Sequence, residues 1–100
     1  CAPCRVDMPK IEALHREFAS KGLVVLGVND EAPETARGYI EEHGYSFPTL
    51  ADANKALYSA FAVRAIPALV VIGRDGKVAS YLTGAQPAKS LRRAIAEAGL

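Results

Sequence analysis

One hundred residues, half of them hydrophobic, suffice for one small domain spanning residues 1–100 with a core of its own. A formal net charge of +1 excludes a broad electrostatic footprint for nucleic acid or an acidic membrane, and no apolar run approaches the roughly 20 residues of a membrane-crossing helix. Both cysteines, Cys1 and Cys4, fall in one short motif, which excludes a scaffold of structural bridges and points to a working redox pair.

In chain order, Cys1-Ala2-Pro3-Cys4 opens a predicted helix from about residue 3 to residue 20. Its apolar face is Val6, Ile11, Leu14 and Phe18, with Glu12, Arg16 and Glu17 on the other side. Pro3 suits a first turn because its missing N–H would be unpaired there anyway, Pro9 removes one internal hydrogen bond and should bend the helix, and Gly22 stops it. Residues 23–28, LVVLGV, read as a strand buried on both faces. Pro33 starts a second helix that ends at Gly44, and residues 45–50 are too short and proline-broken for more than an edge strand. Asp52 is a fair N-cap for a short helix holding Leu57, Tyr58 and Phe61. Residues 68–72, ALVVI, form the second buried strand; an Asp75-Gly76 turn returns residues 77–83 antiparallel; and Pro87 opens a last helix striped by Leu91, Ala94, Ile95 and Ala98.

The dithiol's chemistry follows from its place. Residues three apart on a helix lie about 5–6 Å from each other, the Cα separation a disulfide needs. Free N–H groups and the positive end of the helix dipole stabilise an anion there, so Cys1, the outermost, should be the attacking thiolate and Cys4 the resolving thiol. A structural disulfide closing so small a loop would constrain the unfolded chain little. Zinc is disfavoured because His15 and His43 do not match ligand spacing, and no metal or cofactor is expected. Both histidines, and Arg92 and Arg93, read as surface residues, with His43 near the negative end of the second helix. Phe18, Phe47 and Phe61 are core candidates.

A CxxC at a helix start, a βα crossover, a hairpin and a closing helix make the back three-quarters of a thioredoxin fold. The segments CAPCRVDMP, LVVLGVND, YSFPTLAD, FAVRAIPALVVIGRDGKV and YLTG resemble the TlpA/ResA-like branch of the thioredoxin superfamily, which comprises envelope thiol-disulfide oxidoreductases. The resemblance implies a three-layer α/β/α fold with a mixed sheet and marks Cys1, Cys4, Asp7 and Pro67 as catalytic. It implies that Pro67 is the cis-proline that packs against the disulfide, and that Ala2, Pro3 and Ile66 receive the substrate peptide. Asp7 stands where such proteins often carry Glu; on a helix it shares a face with Cys4 and could exchange a proton with it.

Protein disulfides as substrates, a thiol electron donor, a monomeric state and a periplasmic or envelope address are implied in the same way. The family's strand leading into the first cysteine is missing here, so the chain is expected to be a segment of a longer protein. A membrane anchor is expected only through residues upstream of Cys1. A peroxiredoxin-like peroxidase and a non-catalytic thioredoxin-like binding module are the alternatives.

Overall fold

A computed structural model describes residues 1–100. Helix α1, Ala2–Phe18, begins with Cys1 as its N-cap and ends in a 3-10 turn, Ala19–Lys21, closed by Gly22 in the left-handed region at φ 104°. The elements then run β1 Gly27–Asn29, α2 Pro33–His43, β2 Thr49–Ala51, α3 Ala56–Ala60, β3 Ala68–Ile72, β4 Val78–Thr83 and α4 Ala88–Glu97. Both sheets have two strands: β1 runs parallel to β2, and β3 pairs antiparallel with β4 in the register Ala68 to Thr83, with an irregularity between Val71 and Ile72.

The chain divides into two compact units. The first joins Cys1–Leu23 to Ala65–Leu100 and holds the main core. Leu14 of α1 meets Leu91 and Ile95 of α4, with Ile11, Phe18, Leu23, Leu69 and Leu82 packed around them. Leu91, only 1% exposed, is the most deeply enclosed side chain. The apolar stripe of α4 thus finds the apolar face of α1 and the inward residues of the hairpin, as helical and strand periods require. Arg92 brackets this contact: its guanidinium donates two hydrogen bonds to the Glu17 carboxylate, at 2.9 and 2.7 Å, and lies 5.3 Å from the Phe18 ring centre.

The second unit is Val24–Arg64. Here α2 opens on Pro33 and closes on Gly44 at φ 69°, and Phe47 is buried. Asp52 caps α3 from three residues ahead of Lys55, the residue in the N-cap position. Its two carboxylate oxygens accept the N–H groups of Leu57 and Tyr58, each at 3.0 Å, while Lys55 sits in the left-handed region at φ 58°. Tyr39, His43, Tyr45 and Phe47 form a chain of neighbouring rings, and His43 Nδ1 lies 2.9 Å from the Tyr39 carbonyl, at the C-terminal turn of α2.

Several sequence expectations are corrected. Residues 23–28 do not form a strand buried on both faces: only Gly27–Asn29 pairs, and Val24 (75% exposed), Leu26 and Val28 face solvent. The segment alternates, with Leu23, Val25 and Gly27 half-buried and the even residues bare. β1 has a single ladder neighbour, β2, so its other edge is unpaired and one of its faces is uncovered. For the same reason β3 is half-buried rather than buried, with Ile72 exposed. On α1, Val6 is exposed and Glu12 is buried beside Arg16, so the burial stripe is rotated from the purely apolar one. His15 is half-buried, not a surface residue, whereas Arg92 and Arg93 are exposed as expected, Arg92 being engaged by Glu17.

Candidate active site

The site grows from the cap of α1. Cys1 is exposed and Cys4 half-buried, so of the two sulfur-bearing residues the first is the more open to a large partner. They are joined in a disulfide with a Cα separation of 5.3 Å, inside the range that bridging requires. Cys1 Sγ also accepts the Cys4 N–H at 3.3 Å, in the position an Asp or Ser oxygen takes at other helix starts. No acidic side chain lies in this first turn to oppose negative charge on the sulfur, and His15 and Arg16 stand at the far end. A thiolate released at Cys1 would thus be held by an N–H donor and by the helix dipole.

Asp7 is where the structure departs most from a surface acid. It is 4% exposed, and each of its carboxylate oxygens lies 3.2 Å from the backbone N–H of Gln86, which donates to them. Lys10, one turn further along α1, places Nζ 3.3 Å from Asp7 Oδ1 and donates to the Gln86 carbonyl at 2.9 Å. The Gln86 amide in turn donates to the carbonyls of Thr83 and Gly84, both at 3.1 Å, folding the β4–α4 connection onto itself.

The same connection reaches the proline singled out by the sequence. The Ile66–Pro67 peptide bond is cis, and the Pro67 carbonyl accepts the N–H of Gly84 at 2.8 Å. Gly84 takes φ 84°, a conformation that suits glycine and allows the chain to turn from β4 toward Gln86. Ile66 is 50% exposed, while Ala2 and Pro3 are both exposed at the start of α1. All these residues belong to the first unit, where one chain of hydrogen bonds runs from Asp7 through Gln86 and Gly84 to Pro67.

Lys10 and Gln86 were not among the sequence-derived candidates. Lys10 had a legible signal, its i, i+3 spacing from Asp7, which puts the two on one helical face. Gln86 had none, because its role is carried by a backbone N–H that any residue but proline offers.

Comparison with known proteins follows the same line. The sequence profile of the AhpC/TSA family matches residues 1–81. The thiol-disulfide oxidoreductase ResA of Halalkalibacterium halodurans is 31% identical over 85 residues, covering 84% of this chain and 48% of the relative. The chain therefore spans about half the length of the curated relatives it matches. Among solved structures, a Neisseria meningitidis protein described as a candidate thioredoxin superposes with a TM-score of 0.89 at 30% identity, over 98% of this chain and 67% of the other. A Chlorobium tepidum protein described as a candidate thiol:disulfide interchange protein DsbE gives 0.90 at 25% identity, over 99% and 73%. The fold is thioredoxin-like.

Proposed function

The chain belongs to the AhpC/TSA family, and we propose that it acts as a thiol-disulfide oxidoreductase that reduces disulfides in other proteins. The observation that carries this reading is the exposed residue Cys1, whose sulfur caps α1 and is bonded to Cys4 one turn inward. The relatives named thiol-disulfide oxidoreductase ResA support the exchange chemistry.

In the reduced protein, the Cys1 thiolate attacks one sulfur of the substrate disulfide, forming a mixed disulfide and releasing the other substrate sulfur as a thiolate that takes up a proton. Cys4 then gives up its proton and attacks Cys1 Sγ, expelling the second substrate thiol and closing Cys1–Cys4. Two electrons pass from the cysteine pair to the substrate, and an external dithiol restores the starting state. Asp7, on the helical face of Cys4, exchanges the Cys4 proton in this scheme. Ala2, Pro3 and Ile66 border the incoming peptide, with the cis Pro67 bond setting the backbone beside it. No metal or further cofactor takes part. The envelope is the proposed setting, with a monomer as the working form; no helix is long and apolar enough to cross a membrane.

Insulin-disulfide reduction with dithiothreitol as donor tests the proposal. The protein should accelerate precipitation of the insulin B chain, Cys1→Ser should abolish the acceleration, and Cys4→Ser should accumulate a mixed disulfide. Equal rates with and without the native protein would refute the reading, and consumption of hydrogen peroxide without insulin reduction would replace it with the peroxidase alternative.

A further inference from the structure

We infer that Lys10 is a positioning residue of the redox site: its ammonium offsets the charge of the buried Asp7 carboxylate and fixes its place, so that the cysteine thiols ionise next to a neutral pair instead of a lone anion. The inference rests on the thiol-disulfide reading above and deepens it. A carboxylate 4% exposed carries a large desolvation cost unless it is paired and hydrogen-bonded. Two of its bonds come from one backbone N–H, that of Gln86, which carries no net charge. Lys10 supplies the positive charge, and its geometry is set by two partners at once, Asp7 Oδ1 at 3.3 Å and the Gln86 carbonyl at 2.9 Å. A surface lysine held by one carboxylate would add little; this one is half-buried and doubly tied.

On α1, Cys4 lies one turn before Asp7 and Lys10 one turn after it, so each is a neighbour of Asp7 along the helix surface. The β4–α4 connection contributes backbone and the neutral Gln86 amide. From α4, Arg92 lines the same shallow groove as Lys10, and its guanidinium is held by Glu17. Without Lys10, a lone anion one helical turn from Cys4 would disfavour a second negative charge at the dithiol.

The test reads thiolate formation directly and does not depend on turnover. The rate of iodoacetamide alkylation of the reduced full chain is followed against pH, by mass spectrometry at Cys1, for the native protein, Lys10→Met, Lys10→Arg and the double variant Asp7→Asn with Lys10→Met. Lys10→Met should move the midpoint upward and slow alkylation at pH 7 by about threefold or more. Lys10→Arg should restore the native profile, and the double variant should lack the upward shift. An unmoved midpoint in Lys10→Met overturns the inference, and so does a shift that persists when Asp7 is also neutral, because Lys10 would then act without Asp7. Insulin reduction by the native protein is measured in parallel: its failure sinks the proposed function, whereas normal reduction with an unmoved Lys10→Met midpoint sinks this inference alone.

Discussion

The two units of the chain spend their apolar residues differently. In the unit of Cys1–Leu23 and Ala65–Leu100, α1, α4 and the hairpin enclose Leu14, Leu91 and Ile95, and every residue assigned to the redox chemistry lies there. In the unit of Val24–Arg64, the apolar run before β1 leaves Val24 and Leu26 exposed, and order is imposed by polar devices, above all the Asp52 cap on α3. The contrast teaches that the chemistry is mounted where burial is densest. A cap sulfur can be aimed only if its helix is held, and α1 is held by α4 at Leu14 and Glu17 and by the Gln86 backbone at Asp7.

The sharpest way to break this contrast is at the sulfur itself. Cys1→Ser should abolish insulin reduction while leaving the thermal midpoint of the reduced protein nearly unchanged, which separates chemistry from scaffold. Next in size, Leu91→Ala opens a cavity in the first unit and should cost about 2–5 kcal/mol in denaturant unfolding. Val24→Ala in the second unit should stay within about 0.5 kcal/mol, as for exposed sites. Comparable costs for the two would dissolve the distinction. Asp52→Ala removes both acceptors of the α3 cap and should cost about 0.5–2 kcal/mol, visible as faster amide exchange at Leu57 and Tyr58.

Smallest are two pH effects of opposite sign. The Arg92 hydrogen bond lowers the Glu17 carboxyl below its usual 4.5, so its contribution is present above that pH and fades as pH falls through the folded value. Glu17→Gln should flatten this acid limb, more so at low salt. Burial, followed by the charges of Asp30, Asp52 and Glu31, raises the Tyr58 phenol above 10.0. Its contribution is therefore intact below pH 10.0 and is lost as pH rises through the folded value, and Tyr58→Phe should flatten the alkaline limb.

Much of this architecture was legible because it is locally encoded. The i, i+3 spacing of the cysteines, the proline starts of α1 and α2, the glycine stops, the Asp75-Gly76 turn and the stripe of α4 need only a few neighbouring residues to act. The Asp52 cap was also visible, although the chain places Lys55 at the cap position and lets Asp52 reach over it. The strand expected at residues 23–28 failed for the complementary reason: an apolar run announces that burial is suitable, but only neighbours on both faces deliver it.

The amino-acid order by itself determined the dithiol, its helix and the hairpin that carries Pro67, since periodicity and turn chemistry act over a few residues. Tertiary structure alone decided that Asp7 is buried, that its partner is a backbone N–H 79 residues away, and that Lys10 bridges the two. A carboxylate's environment belongs to whatever packs over it, and here that is the β4–α4 connection, which no spacing within α1 encodes.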